Sequence, residues 1–89
     1  MNNYIGMYDN TPIYISDKEN KKYYALVGNR KVYFGDTNYQ QYKDIFGYYK
    51  YLDHLDKSRR DAYYKRHVND VNNYGHAGYF AARILWPLD

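Results

Sequence analysis

Apolar and polar residues alternate most clearly between residues 23 and 34. Tyr23-Tyr24-Ala25-Leu26-Val27 and Lys31-Val32-Tyr33-Phe34 flank Gly28-Asn29-Arg30. This pattern predicts a β-hairpin whose turn takes its positive φ angles from Gly28 and Asn29. Pairing places Tyr23, Ala25, Val27, Val32 and Phe34 on one face and Tyr24, Leu26, Lys31 and Tyr33 on the other. A two-residue slip in register leaves those faces unchanged. The first face is predicted to be core and the second half-wet. Ile13-Tyr14-Ile15 is β-prone and reads as an edge strand that would extend the hairpin to a three-stranded antiparallel sheet. Residues 1–12 mix Asn, Tyr and Met around Gly6 and end on the turn signal Asn10-Thr11-Pro12, so they read as an N-terminal arm.

Beyond Gly35 the pattern changes. Asp36 or Thr37 is a candidate cap for a short helical turn through Tyr39, Tyr42 and Phe46, closed by Gly47. Tyr48-Tyr49-Lys50-Tyr51-Leu52 fits strand, turn or helix equally. From Asp53 the spacing is helical, with Asp53 or Asp56 as N-cap and a helix from about Lys57 to Val68. After a polar loop around Asn69–Gly75, Ala77, Phe80, Ala81 and Ile84 form one apolar stripe at i, i+3, i+4 and i+7. Pro87 stops that helix. The fold class is therefore α+β: a small single domain over residues 13–89, with the hairpin packed on two helices and the 1–12 arm outside it. Phe34, Phe46, Phe80, Ile84 and Trp86 are its predicted centre, with Val27, Val32 and Leu85 around them.

Composition narrows the function. A chain of 89 residues makes one domain. It has no cysteine, which excludes disulfides and thiolate metal sites. No apolar run approaches the roughly 20 residues of a membrane span. MNNYIGMYDN lacks the basic-then-apolar order of a secretory signal, and none is expected. Mean hydropathy is −0.97, but aromatic residues are 21% of the chain, which argues against disorder. There are 15 tyrosines against 3 phenylalanines. Phenol rings pack while their hydroxyls bond, so such a chain is built for half-buried and interface surfaces. The net charge of +3 is mildly basic and supports weak polyanion binding.

Charge and aromatics concentrate in Asp56–His67, which holds 5 of the 13 Lys and Arg residues. On a helix, Arg59, Arg60, Tyr63, Arg66 and His67 share an arc of about 120°. Guanidinium forks fit phosphate and tyrosine stacks on bases, so this face, with Lys31 of the hairpin, is the candidate nucleic-acid surface. The competing readings are a solvated helix face with Tyr63 packed under arginine stems, and pairing of Arg59 or Arg66 with Asp36, Asp44, Asp53 or Asp70. His54, His67 and His76 follow no zinc spacing, and no nucleophile stands out among Thr11, Ser16, Thr37 and Ser58. No catalytic residue, metal or cofactor is assigned, and the three histidines are expected to make structural hydrogen bonds. Tyr33, Tyr42, Tyr63 and Tyr79 are expected to pack. Tyr4, Tyr8, Tyr14 and Tyr74 lie in arm or loop segments and are the candidates for contact with another protein.

Lys31-Val32-Tyr33-Phe34-Gly35-Asp36, Tyr39-x-x-Tyr42, His54-x-Asp56-x-x-Arg59-Arg60-x-x-Tyr63-x-x-Arg66-His67, Ala77-Gly78-Tyr79-Phe80 and Leu85-Trp86 together resemble a family of small uncharacterised proteins. That family is encoded by large double-stranded DNA viruses of algae and amoebae and by some phages. The resemblance covers residues 22–87. It implies a setting, the virion or the infected cell, and transfers no catalytic residue. In that setting the expectation is a non-enzymatic viral accessory or virion-associated binding module, with nucleic acid as its first-choice partner. The alternative is a minor capsid or cement protein that uses its tyrosines for contacts with other virion proteins.

Overall fold

Four strands in a row precede both helices. The computed structural model describes residues 3–88. Strands β1 (Tyr4–Tyr8), β2 (Thr11–Ile15), β3 (Lys21–Val27) and β4 (Arg30–Asp36) form an antiparallel meander in the order β1-β2-β3-β4. Helices α1 (Lys57–Arg66) and α2 (Ala77–Ile84) follow a long connection that contains a single 3-10 turn at Lys50–Leu52. The α+β class holds, and the sheet has four strands rather than three.

The segment read as an arm is the extra strand. Tyr8 pairs with Thr11 across a two-residue loop, and Asp9 and Asn10 both take positive φ, 52° and 61°. That is the geometry of a type I′ hairpin turn, which Asp and Asn tolerate better than other side chains. Residues 13–15 are consequently in an interior strand, paired on both sides, and Ile13 is fully buried. Pro12 fits because it stands next to the turn, before the ladder to β3 begins at Ile13.

The second hairpin has the predicted faces. Tyr23 pairs with Phe34, Tyr24 with Tyr33, Ala25 with Val32 and Leu26 with Lys31. Gly28 supplies a positive φ of 63°, and Asn29 does not take one. Tyr23, Ala25 and Phe34 join Ile13, Phe80, Ile84 and Leu85 in the core between the sheet and α2. Phe34 stacks on Phe80 with ring centroids 5.8 Å apart. Phe46 and Trp86, expected at the centre, are only partly buried at its margin. A smaller cluster of Tyr63, Val71 and Ala82, with Tyr64 and Trp86 against it, joins α1 to α2.

Between β4 and α1 the chain forms no helical turn at Tyr39–Phe46. Its order comes from side chains bonding backbone. Asp44, buried, accepts from the Tyr23 hydroxyl, from the Phe46 N–H at 2.9 Å and from the Tyr49 N–H at 2.9 Å. Asp53 accepts from the Gln41 amide at 2.7 Å and the Asp44 N–H at 2.9 Å. The N–H groups of Lys43 and Ile45 bond the carbonyls of Leu85 and Ile84, both at 3.0 Å. They thereby satisfy acceptors that the end of α2 would otherwise leave open.

One backbone position is sharply constrained. Gly35 has a φ of +80°, and a Cβ there would stand 2.8 Å from Leu85 Cδ1 and 3.1 Å from Lys22 Cβ. Gly28 has a φ of +63° with nothing within 4 Å of a Cβ. Gly28→Ala should therefore cost only the left-handed penalty of about 1–2 kcal/mol. Gly35→Ala adds overpacking and should cost about 2–5 kcal/mol in total. Urea unfolding midpoints of the two variants check this, and equal losses would show that the close approach to Leu85 is not felt.

Candidate functional site

The N-terminus of α1 is fixed by Asp56, whose carboxylate accepts from the N–H groups of Ser58 (2.9 Å) and Arg59 (3.2 Å). The packing of the helix divides the predicted basic-aromatic arc in two. Arg60 and Tyr63 turn inward and are 7% and 8% exposed. The Arg60 guanidinium lies 4.4 Å from the centroid of the Tyr42 ring and donates to the Pro87 carbonyl at 3.0 Å. Tyr63 stacks on Trp86 with centroids 4.4 Å apart and planes at 7°, and packs against the His67 ring at 4.4 Å. Burial pushes the Tyr63 hydroxyl up to about 12. Arg59 and Arg66 remain on the exposed edge of the arc.

These side chains form one wall of a cleft of about 520 Å³. Arg59, Tyr63, Arg66 and His67 line it from α1. Asp36, Tyr39, Gln40 and Gln41 line it from the connection after β4, and Leu85 and Trp86 close its floor. Arg59 Nη1 donates to Gln40 Oε1 at 3.1 Å, which joins the two walls. Lys22, 1% exposed, lies beneath them. Its Nζ donates to the Tyr39 carbonyl at 2.9 Å and to Gln41 Oε1. Burial pulls the Lys22 pKa down, while the charges of Asp44, Asp36 and Asp53 act the other way. A second cavity of about 300 Å³ shares Gly35, Tyr63, His67 and Ala81 with the first and continues to Lys21 and Tyr33 at the β4 edge. The larger cleft thus carries two exposed guanidinium groups, a buried amine, a histidine and stacked rings against one carboxylate, Asp36, and the smaller cavity adds Asp70, 3.7 Å from His67 Nδ1.

Of the residues predicted to hold nucleic acid, Arg59, Tyr63, Arg66 and His67 meet at this cleft. Arg60 is consumed internally, because a delocalised cation over a tyrosine ring is a stable buried arrangement. Lys31 is on another surface. It bonds Asp17 at 2.9 Å on the sheet face that carries Tyr24 and Tyr33. Tyr39 was missed as a site residue. It is 69% exposed at the mouth of the cleft, and no local pattern marks it, since its neighbours there come from residues 22 and 59.

The sheet face opposite the helices has its own arrangement. Tyr4 pairs with Tyr14, Tyr14 with Tyr24 and Tyr24 with Tyr33, one tyrosine from each strand. Ring centroids are 5.6, 4.8 and 5.3 Å apart along this row, and Tyr14 and Tyr24 are parallel within 5°. Lys31 lies over Tyr24 and Lys18 over Tyr33. Asp17 accepts from the Tyr33 hydroxyl at 2.6 Å, and that bond, with Lys31, holds its carboxyl below the usual range. Of the tyrosines predicted for protein contact, Tyr4 and Tyr14 belong to this row. Tyr8 is half-buried against the core. Tyr74 is exposed over half its surface, but its ring packs edge-on against Tyr79 and Phe80 and its hydroxyl shares a hydrogen bond with that of Thr11.

His54 Nδ1 accepts from the Asp56 N–H at 3.0 Å. Burial lowers its pKa and Arg59 lowers it further. Among the described residues, no three His, Asp or Glu side chains come together in a way that could hold a metal ion. No helix among them is long and apolar enough to cross a membrane. No family model, curated protein or solved structure matches the chain.

Proposed function

We propose that this chain is a non-enzymatic binding module for nucleic acid that acts in a virion or an infected cell. The observation that carries the reading is the convergence of Arg59 and Arg66 on one rim of a cleft lined by the Tyr63–Trp86 stack. Guanidinium groups at such a rim bind phosphate bidentately, and an adjoining aromatic wall suits nucleotides. The test is a salt series of binding to DNA and RNA, comparing wild type with an Arg59→Ala/Arg66→Ala variant. Both side chains are exposed, so the variant should fold. It should bind several-fold more weakly and show a shallower dependence on salt, by about two released counterions. Equal binding by both proteins at every salt concentration would overturn the proposal.

The row of tyrosines on the open sheet face favours a second reading, a minor capsid or cement protein that docks on a neighbouring virion protein through that face. Tyrosine is enriched at such interfaces. That reading calls for weak salt dependence and loss of assembly on replacing Tyr4 and Tyr14, with no effect from Arg59 or Arg66.

A further inference from the structure

We propose that the cleft takes an unpaired base, so that the ligand class is single-stranded nucleic acid, with Tyr39 as the base platform and Arg59 and Arg66 holding the flanking phosphates. This inference rests on the nucleic-acid reading above and adds to it.

The size of the cleft is the first argument. At about 520 Å³ it falls within the range of pockets that enclose one small ligand, roughly 300–1,000 Å³. A duplex hides its base faces in its own stack and can offer such a cleft only phosphates. A single strand can splay one base into it. The state of Tyr39 is the second argument. Its ring has no aromatic or cationic neighbour in contact among the described residues and is 69% exposed, yet its backbone is held at both ends. The Tyr39 N–H donates to the Asp36 carbonyl at 3.1 Å, and its own carbonyl accepts from Lys22 Nζ at 2.9 Å. With the backbone fixed, stacking a base has only the two side-chain torsions of the tyrosine left to order.

The sheet face competes for the same role and fits it less well. Tyr14 and Tyr24 cover each other's faces, and Lys31 lies over Tyr24. Faces already engaged in this way leave less room for a stacked base. Lys31 is also neutralised by Asp17, whereas Arg59 at the cleft bonds a neutral amide. Charge complementarity to a polyanion therefore favours the cleft.

The test uses the full chain and three fluorescent probes of equal length: an oligothymidylate, an abasic strand with the same phosphates, and a blunt duplex. Trp86, the only tryptophan, lines the cleft and reports occupancy through its emission. Wild type should bind the oligothymidylate about tenfold more tightly than the abasic strand, as one stacked base contributes, and only the former should quench Trp86. Tyr39→Ala should abolish this preference and Tyr39→Phe should keep it, with circular dichroism unchanged in both. If the three probes bind equally, or Tyr39→Ala keeps the preference, the base site is overturned. The nucleic-acid reading still survives in that case if binding falls in the Arg59→Ala/Arg66→Ala variant. Failure of every probe to bind overturns both and leaves the protein-docking reading.

Discussion

Asp44→Ala should destabilise the protein by about 3–5 kcal/mol, a large share of the roughly 5–15 kcal/mol that holds a domain of this kind folded. Asp44 is 4% exposed and serves three donors: the Tyr23 hydroxyl and the N–H groups of Phe46 and Tyr49. Tyr23 has no exposed surface, so water cannot replace the lost acceptor at its hydroxyl. A buried donor stranded in this way costs about 1–3 kcal/mol. The two N–H groups are nearer the surface and cost less each, but they hold the loop that closes the end of α2. The Asp44 charge also supports the buried ammonium of Lys22, and this support goes with it. A double-mutant cycle isolates the hydroxyl. In a Tyr23→Phe background nothing is stranded there, and Asp44→Ala should cost about 1–3 kcal/mol less than in wild type. Urea denaturation of the four proteins gives the cycle. A wild-type-like midpoint for Asp44→Ala, or strict additivity with Tyr23→Phe, would remove Asp44 as the organiser of this connection.

The same loop explains where sequence reading stopped. The hairpin of β3 and β4 was legible because its alternation is local and its turn is marked by Gly28. The start of α1 was legible because an aspartate at the N-cap bonds the N–H groups two and three residues on, those of Ser58 and Arg59. The stripe on α2 was half right. Phe80 and Ile84 are buried, but so are Tyr79 and Ala82, because α2 meets the sheet on one side and Tyr63 and Trp86 on another. Such a helix buries an arc wider than one stripe. The β1–β2 hairpin was hidden because residues 3–8 do not alternate and Gly6 adjoins a register shift against β2. Its turn, Asp9-Asn10, was the available signal. Nothing periodic marks residues 37–56, where Gln41 and Asp53 bond backbone groups eight and nine residues away, brought close only by folding. Arg60 shows the limit most directly, since helical spacing cannot separate an arginine laid over Tyr42 from one in water. Half of the cleft was therefore visible as a basic arc, and the half carrying Tyr39 was not.

Alkali should unfold the protein over the range in which a free phenol merely ionises. The unfolded chain releases tyrosine protons from about pH 10. In the folded protein burial drives the Tyr23 pKa far above that value, reinforced by its bond to Asp44 and the charge of that carboxylate. Burial pushes Tyr63 up to about 12. Both residues must keep their protons for the fold to persist. Above about pH 10 the native state therefore binds more protons than the unfolded state, and stability falls as pH rises. Below that pH the contribution of these groups is fully present. Each withheld proton costs about 1.4 kcal/mol per pH unit, so the two residues together remove about 4 kcal/mol by roughly pH 11.5. Tyr49 and Tyr64 are also raised by burial, but they are more exposed and add a smaller, screened amount. Tyrosinate absorbance and far-ultraviolet circular dichroism, followed together against pH, should show two stages. The exposed phenols ionise first with the dichroism unchanged, and a late class then appears together with loss of secondary structure. A single smooth titration of all 15 tyrosines with the dichroism intact would mean that Tyr23 and Tyr63 can ionise in place, and that their burial does not hold the sheet to the helices.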